Sequence, residues 1–481
     1  MSVLEGLQPA SVFKYFEDIC GIPHGSRDTK KISDYLVQFA KKQGLRYVQD
    51  ESNNVIIWKD GTAGYEDHAP VMLQGHMDMV CEKEADCTID FTKDGLDLRL
   101  EDGIISAKGT TLGGDDGIAV AYALAILASD DIPHPPLEVV LTVDEEIGML
   151  GAAALDASVL KSRTMLNMDS EDEGFFLVSC AGGCTSVAHL PVQREAKTGT
   201  ALRLVIDGLQ GGHSGAEIHK GRANANQLLG RVLYAMQKEA DIALYQVQGG
   251  SKDNAIPRQA QADLVVEESQ KESLYRIAEA QQKELRDEYQ YTDAEITISL
   301  NEAEQSEWQP MTKESTQMVI DCLLNLPGGI VAMDPIMDHM VQTSLNMGIL
   351  TSSEEEVRFS FCVRSSVDSQ KVALVDRLES FIQAKGGTLE NAGNYPAWEY
   401  RKDSPLRDTM VATYQKMYGK DPVVQGLHAG VECGLFSGKL PGLDCVSYGP
   451  DMKDIHTPKE SMCVESVKRT WDFTLEVLKQ L

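Results

Sequence analysis

The sequence predicts an α/β protein whose first domain is interrupted by a second, and three features of the chain lead to this prediction. Apolar runs of β type alternate with helical stretches over the first 180 residues, which is the pattern of a layered α/β domain. A glycine break at Ala181–Gly183 then precedes a region of different character, which extends to about Tyr400. After Asp403 the α/β pattern resumes and ends in an amphipathic helix over Val464–Leu481. The expected domains are residues 1–184 together with 401–481, and an insert over 185–400.

Each element is predicted from its apolar periodicity. In the first domain, helices are expected at Ala10–Phe16, Lys31–Lys42 and Gly117–Leu127, and strands at Asn54–Trp58, Val71–Met79, Leu137–Val143 and Thr164–Met168. In the insert, the strand pairs near Ala255–Glu267 and Ser344–Val363 correspond in order, as do the helices Ser273–Tyr289 and Ser369–Lys385. This correspondence suggests that the insert consists of two related halves.

Length, charge and cysteine usage exclude several classes of protein. A chain of 481 residues exceeds one comfortable hydrophobic core, so two or more domains are expected. The net charge of −30 argues against nucleic acid or an anionic membrane as a partner. No segment offers the ~18 uninterrupted apolar residues of a membrane span, and the start of the chain shows no secretory signal. The ten scattered cysteines are typical of reduced thiols, so a cytoplasmic location is expected.

Histidines and carboxylates follow the predicted strands, at the edge of an α/β sheet where ligands bind. In His76-Met77-Asp78 the imidazole and the carboxylate lie two residues apart on a strand and can touch, as in a metal-binding histidine oriented by an acid. The triplet alone is equally consistent with a strand histidine beside an incidental acid. Asp115 and Asp116 precede the Ala-rich helix, where an aspartate is commonly an N-cap. The two glycines before them also allow a sharp turn that aims one carboxylate into a cleft.

Further acids and a second histidine complete a candidate metal site. Glu145 and Glu146 follow the strand Leu137–Val143, so one can bind metal while its neighbour acts as a general base. Asp169 ends the next strand, and His456 precedes the terminal helix. Together these groups provide donors for two divalent ions ~3.5–4 Å apart. Mixed imidazole and carboxylate ligation suits zinc, manganese or cobalt. After His456, the segment Thr457-Pro458-Lys459-Glu460 fits a capping box, which is a purely structural role.

The order of these motifs resembles that of the co-catalytic zinc peptidases that include aminoacylase and glutamate carboxypeptidase. The series is Gly75-His76-Met77-Asp78, Gly114-Asp115-Asp116-Gly117, Glu145-Glu146, Asn167-Met168-Asp169 and Asp454-Ile455-His456. Within this superfamily, residues 211–218 (Gly-Gly-His-Ser-Gly-Ala-Glu-Ile) and 428–434 (His-Ala-Gly-Val-Glu-Cys-Gly) look closest to the bacterial aminoacyl-histidine dipeptidases. The resemblance covers nearly the whole chain. It implies a three-layer αβα catalytic domain with a mixed central sheet, and identifies the insert as an α+β lid.

Carried over residue by residue, the resemblance implies a role for each side chain of the site. The implied metal ligands are Asp115 as a bridge between two ions, His76 with Asp169 at one ion, and Glu146 with His456 at the other. Asp78 would orient His76, and Glu145 would be the general base for a water activated by the two metals. The resemblance also implies a cis peptide bond between Asp115 and Asp116.

The resemblance implies substrate-binding residues as well, namely His213, Asn254, Arg364, His428 and Glu432. His213 would stabilise the oxyanion and Arg364 would grip the substrate carboxylate, although Ser365-Ser366 follow this arginine where the family usually has a proline. Asn346 is the alternative to Asn254 as the lid asparagine. His428 and Glu432 would line the pocket, and the alternative for Glu432 is a solvated loop acid.

The implied activity is that of a metal-dependent dipeptidase acting on Xaa-His and other dipeptides, with two divalent ions, zinc first and manganese or cobalt as alternatives. An N-acyl amino acid deacylase or a tripeptide aminopeptidase of the same superfamily is the nearest alternative. A non-catalytic binding protein on the same scaffold is another. Asp169 favours the dipeptidase, because deacylases and carboxypeptidases of the superfamily typically have glutamate at this ligand. A homodimer is compatible with the resemblance. If the two halves of the lid together take the place of a dimer of lids, His213 would act in the active site of its own chain.

Overall fold

The computed structural model of the chain describes residues 2–303 and 308–481 and divides into two compact units. Unit 1 consists of Met1–Cys180, Tyr400–Gly426 and Val431–Leu481. Unit 2 consists of Ala181–Glu399 and the short segment Leu427–Gly430. Among the residues described, no helix is both long and apolar enough to cross a membrane.

The first part of unit 1 alternates helices and strands. Its helices are α1 (Ala10–Cys20), α2 (Lys30–Gln43), α3 (Gly114–Ala128) and α4 (Leu150–Ala154). Its strands are β1 (Arg46–Gln49), β2 (Val55–Lys59), β3 (Val71–His76), β4 (Leu98–Glu101), β5 (Ile104–Ala107), β6 (Leu137–Thr142), β7 (Thr164–Asn167) and β8 (Phe175–Cys180). Every helix and strand predicted in this part is present, with ends that differ by a few residues.

Unit 2 is richer in strands. Its strands are β9 (Gly182–Pro191), β10 (Thr200–Asp207), β11 (Gly212–His213), β12 (Ala243–Gly249), β13 (Ala255–Ile256), β14 (Ala260–Val266), β15 (Thr297–Glu302), β16 (Gly329–Met333), β17 (Val341–Ser352), β18 (Glu356–Ser365) and β19 (Thr388–Tyr395). Its helices are α5 (Ala225–Gln237), α6 (Lys271–Glu288), α7 (Lys313–Asn325) and α8 (Asp368–Ala384).

Apart from the short segment Leu427–Gly430, the rest of the chain completes unit 1. Its helices are α9 (Pro405–Tyr418), α10 (Glu432–Lys439) and α11 (Val464–Leu478), and its strands are β20 (Val423–Leu427), β21 (Asp444–Ser447), β22 (Met452–Lys453) and β23 (Ser461–Cys463). The predicted terminal helix therefore begins where expected and ends three residues before the last residue of the chain.

A mixed eight-stranded sheet runs through unit 1, in the order β1-β2-β6-β3-β7-β21-β8-β20. Its centre is parallel, because β3 pairs in parallel with both β6 and β7, and β21 pairs in parallel with β7. Strands β3 and β6 are buried at every residue, as expected for parallel strands covered on both faces. Helix α3, which is buried along nearly its whole length, packs against β3 and α1. The predicted α/β class with a mixed central sheet is confirmed.

A separate four-stranded sheet, β22-β23-β5-β4, holds the segment that carries His456. His456 lies in the loop between β22 and β23, whose register pairs Met452 with Met462. The capping box predicted for Thr457 and Glu460 is wrong. No helix begins at Thr457, because strand β23 follows this segment and helix α11 starts only at Val464.

Unit 2 contains two series of elements in the same order, strand-helix-strand-strand-helix-strand. The first series is β10, α5, β12, β14, α6 and β15, and its strands stand in the order β15-β10-β14-β12. The second is β9, α7, β17, β18, α8 and β19, in the order β17-β18-β9-β19. The two half-sheets meet where β12 pairs with β17. The strand pair expected within Ala255–Glu267 is wrong in detail, since β14 pairs there with β12 rather than with a strand of its own segment.

Candidate metal centre

The carboxyl ends of three parallel strands of unit 1 meet at one edge of its sheet. Strand β3 ends at His76, which stands in register with Thr142 at the end of β6. Strand β7 ends at Asn167, which pairs with Gln74 of β3. Glu145 and Glu146 follow β6 by three and four residues, and Asp169 follows β7 by two. Because ligands bind outside the carboxyl ends of strands in such sheets, this edge is the natural place for a site.

Asp115 lies between the two histidines of the site. Its Oδ1 is 3.1 Å from Nε2 of His76, and its Oδ2 is 3.1 Å from Nε2 of His456. Both histidines are distant from Asp115 in the chain, and each faces a different oxygen of the same carboxylate. The peptide bond between Asp115 and Asp116 is cis, as the resemblance implied.

Two carboxylates extend this arrangement on either side. Oε2 of Glu146 is 2.9 Å from Nε2 of His456, and Oδ1 of Asp169 is 3.8 Å from Nε2 of His76. Bonds of ~2.0–2.1 Å to a tetrahedral zinc ion place its ligand atoms about 3.3 Å apart. The spacing of the side chains around Asp115 is close to that value. The donor set therefore fits two divalent ions, one near His76 and Asp169 and one near Glu146 and His456.

Asp116 is a second carboxylate near His76 that sequence reasoning did not single out. It is fully buried, and its Oδ2 accepts a hydrogen bond of 3.1 Å from the backbone N–H of His76. Its Oδ1 has no hydrogen-bond partner among the described residues. His76, Asp116 and Asp169 also present ligand atoms within 4.8 Å of one another. The pattern Asp-Asp-Gly could have pointed to both aspartates, but an N-cap role at the start of helix α3 explains the pair equally well from the sequence alone.

Asp78 and its backbone orient His76. Nδ1 of His76 donates to the main-chain carbonyl of Asp78 at 2.9 Å, while the Asp78 carboxylate is farther away at 3.5 Å. A proton on Nδ1 leaves Nε2, which faces Asp115, as the ring nitrogen available to a metal. The Asp78 carboxylate accepts hydrogen bonds from Ser26 Oγ (2.8 Å) and from the backbone N–H of Glu145 (3.1 Å). Asp78 thereby ties the strand of His76 to the loop that carries Glu145.

The site concentrates negative charge away from water. Burial, together with the nearby charges of Glu432, Glu146 and Asp115 and against the opposing effect of His76, raises the pKa of Glu145 to about 8. Burial also raises the pKa of Asp116 and Asp169 well above the usual range for aspartate. Two histidines do not balance so many buried carboxylates, and uncompensated buried charge is costly. Divalent cations are the groups that would neutralise it.

Glu432 lies beneath this edge rather than in solvent. It is fully buried, and its Oε2 accepts hydrogen bonds from the Thr142 hydroxyl and the Gln74 side-chain amide. Gln74 in turn accepts a hydrogen bond from Nδ2 of Asn167. Burial raises the pKa of Glu432 to about 7. The alternative of a solvated loop acid is wrong, because this carboxylate belongs to a buried polar network across β3, β6 and β7.

The other expected substrate-binding residues lie in unit 2. Arg364 is buried, and its guanidinium donates to the Tyr395 hydroxyl at 3.0 Å. Nε2 of His428 is 2.7 Å from the Ser344 hydroxyl, and burial together with the charge of Arg364 lowers the pKa of His428 to about 3. Burial and the same arginine lower the pKa of His213. Arg364 is thus a buried cation accompanied by two histidines that are held neutral.

The two candidates for the lid asparagine, Asn346 and Asn254, differ in burial and in hydrogen bonding. The Asn346 side-chain amide donates to the carbonyls of Asp253 and Ala255, both at 2.8 Å, and its oxygen accepts from Asn224 at 3.0 Å. Asn346 is therefore buried and committed to packing. Asn254 is exposed, and its backbone carbonyl accepts the N–H of Ser214.

Comparison with known proteins defines the family. The model of peptidase family M20/M25/M40 matches residues 72–480, which is most of the chain and includes every residue of the centre described above. The chain belongs to peptidase family M20/M25/M40. Cytosol non-specific dipeptidase from Escherichia coli K12 is a full-length relative of this M20 peptidase, 38% identical over 483 residues that cover 100% of the chain and 99% of the relative.

Two solved structures agree with the chain in fold. Aminoacylhistidine dipeptidase from Vibrio alginolyticus superposes with a TM-score of 0.93 at 36% identity, covering 99% of this chain and 98% of that one. Aminopeptidase PepT from Bacillus cereus matches with a TM-score of 0.55 at 15% identity over 98% of this chain and 99% of that one, which shows a shared fold alone. The chain is therefore a hydrolase of the metallopeptidase class with the fold of its family.

Proposed function

We propose that this M20 peptidase is a dipeptidase that uses two divalent metal ions and Glu145 as its general base. The observation that carries the proposal is the position of Asp115, whose two oxygens each lie 3.1 Å from a different histidine. His76 and Asp169 would hold one ion, Glu146 and His456 the other, and Asp115 both. When bound, such a pair of ions supplies Lewis-acid polarisation of the scissile carbonyl and lowers the pKa of an attacking water to near neutrality.

Glu145 is the carboxylate best suited to move the proton. Its backbone is fixed by Asp78, yet no group among the described residues donates a hydrogen bond to its side chain. Its carboxylate nevertheless lies among ligand atoms of His76 and Glu146 that are all within 4.8 Å of one another. In the proposed reaction, Glu145 takes a proton from the attacking water and delivers it to the amine nitrogen that leaves as the peptide bond breaks.

The residues that the resemblance assigns to substrate recognition carry the next part of the proposal. Nδ1 of His213 accepts hydrogen bonds from the backbone N–H groups of Gly215 (3.2 Å) and Ala216 (3.0 Å), so the neutral ring carries its proton on Nε2. That tautomer is the one that can donate to a developing oxyanion. Arg364 offers a planar guanidinium suited to a carboxylate, and Asn254, His428 and Glu432 stay predictions from the resemblance. A grip on both ends of the substrate would restrict it to short peptides.

The proposed substrate class is dipeptides, with Xaa-His among them. Asp169 supports it, together with the full-length similarity to relatives that are named as dipeptidases. Zinc, manganese and cobalt all accept imidazole and carboxylate ligands. Zinc is the first candidate because the resemblance is to zinc peptidases. Among the described residues the cysteines form no disulfide, which is consistent with a reducing cytoplasm.

A substrate panel tests the proposal. The metal-free protein is reconstituted with zinc, manganese or cobalt and offered β-alanyl-histidine, other Xaa-His dipeptides, a tripeptide and N-acetyl-histidine. We expect hydrolysis of the dipeptides to depend on added metal and to exceed that of the other two substrates. A preference for N-acetyl-histidine would identify a deacylase, and a preference for the tripeptide an aminopeptidase. Metal binding without any hydrolysis would favour a binding protein.

A further inference from the structure

Glu460 makes an unusual set of contacts for a loop residue. Its side chain is 3% exposed, and its carboxylate accepts four backbone hydrogen bonds. Oε2 accepts the N–H groups of Leu112 (2.7 Å) and Gly113 (3.0 Å). Oε1 accepts the N–H groups of Gly114 (2.8 Å) and Asp115 (3.3 Å). Consecutive N–H groups that converge in this way form a concave anion-binding nest, and here the anion is a side chain of the same chain.

The glycines of this nest permit the close approach. Gly113 adopts φ +66°, a left-handed conformation in which a side chain would be strained, and a Cβ there would lie 2.9 Å from Sδ of Met79. A Cβ on Gly114 would lie 3.3 Å from Oε1 of Glu460 and 3.1 Å from Sδ of Met452. Gly113 is thus required by its left-handed backbone and by Met79, whereas Gly114 leaves room for Met452 and for the Glu460 carboxylate. Burial raises the pKa of Glu460, and the N–H groups of Leu112 and Gly113 oppose that effect.

Glu460 also belongs to the segment that carries the second histidine. It lies four residues after His456, in the loop between β22 and β23, while Asp115 is 345 residues earlier in the chain. The Glu460 carboxylate is therefore a direct link between the segment of Asp115 and the segment of His456. Oδ2 of Asp115 and Nε2 of His456, one on each of these two segments, lie 3.1 Å apart.

We infer that Glu460 is a positioning residue for the metal centre, because it holds the loop of Asp115 against the loop of His456. The inference rests on the proposed function. Partners that orient metal ligands typically contribute 10–100-fold to metal affinity. Loss of the link should weaken the ion held by Glu146 and His456 more than the ion held by His76 and Asp169, since His76 is fixed independently by strand β3.

Glu460→Gln tests the role at constant side-chain volume. The amide can accept at only one end, so its NH2 group faces two backbone N–H donors and about half of the hydrogen bonds are lost. Glu138→Gln is the matched control. Glu138 is also 3% exposed, and its carboxylate accepts the backbone N–H groups of Lys161 and Ser162 at 2.9–3.0 Å. It lies at the opposite end of β6 from the metal centre.

The measurement is zinc binding to metal-free protein by calorimetry, with thermal unfolding recorded in parallel. We expect both variants to lose stability. Only Glu460→Gln should bind the more weakly held of the two zinc ions roughly 10–100-fold less tightly than the wild type does. If Glu460→Gln does not fold, Glu460→Asp replaces it, since the carboxylate remains but retracts by a methylene. Two zinc ions bound with wild-type affinity by the folded Glu460 variant would overturn the inference, as would an equal loss in Glu138→Gln. If the wild type itself fails to bind two ions, the proposed function falls and the inference falls with it.

Discussion

Replacement of Glu145 by glutamine separates metal binding from proton transfer. The substitution keeps the size of the side chain and removes its ability to take a proton. The backbone N–H of Glu145 still donates to Asp78, and no hydrogen bond to the Glu145 side chain is lost among the described residues. Removing a carboxylate from a half-buried, acidic environment is not expected to destabilise the metal-free protein, because a partly desolvated charge among like charges is unfavourable.

The expected loss of activity follows from the proposed role. A positioned general base contributes roughly 10²–10⁴-fold to the rate, which corresponds to about 3–5 kcal/mol of transition-state stabilisation. The loss should appear in kcat rather than in the amount of bound metal. Because the carboxylate of Glu145 lies within 4.8 Å of ligand atoms of His76 and Glu146, the competing explanation is that Glu145 is itself a ligand.

The assay combines kinetics with metal analysis on one preparation. Dipeptide hydrolysis by Glu145→Gln is compared with that of the wild type in saturating zinc, and bound zinc is counted by atomic emission after removal of free metal. We expect two ions per chain and a loss in kcat of at least 10²-fold. Near-normal turnover would show that Glu145 is not the base. A fall to one ion per chain would show that Glu145 is a ligand.

Three further changes give distinct results. Asp169→Glu should keep the fold and most bound metal but lose roughly 10²-fold in dipeptide hydrolysis, because an added methylene shifts the carboxylate by ~1 Å; unchanged kinetics would contradict this. Gly75→Ala should lower the free energy of unfolding in urea by about 1–3 kcal/mol, because the added Cβ would collide with Oδ2 of Asp116. Gly21→Ala is the control, since a Cβ at that position meets only ordinary van der Waals contacts. Mixing His213→Ala chains with Glu145→Ala chains should not restore activity if His213 serves its own active site. Substantial recovery in mixed dimers would show that it acts across an interface.

The sequence predicts the elements of unit 1 well because their signal is local. The apolar periodicity that defines α2 or β6 lies within the element itself, so its ends are known to within a few residues. The clustering at the metal centre follows from topology in the same way. His76, Glu146 and Asp169 each come at or after the end of a parallel strand, and such ends share one edge of the sheet.

Contacts between distant segments are not visible in the local pattern. Thr457 and Glu460 have the spacing of a capping box, but the carboxylate of Glu460 binds N–H groups 345 or more residues earlier in the chain. Asp116 has the sequence context of a helix N-cap, but its carboxylate accepts a hydrogen bond from the backbone N–H of His76 on strand β3. In both cases a competing tertiary contact satisfies the carboxylate, and no rule of local spacing reveals it.

The most direct test of the two-metal account is anomalous diffraction from crystals of the chain grown with zinc. The account predicts two peaks ~3.5–4 Å apart, one on each side of the Asp115 carboxylate. One peak should contact His76 and Asp169, and the other Glu146 and His456. A single peak, or two peaks of which only one contacts Asp115, would contradict the account.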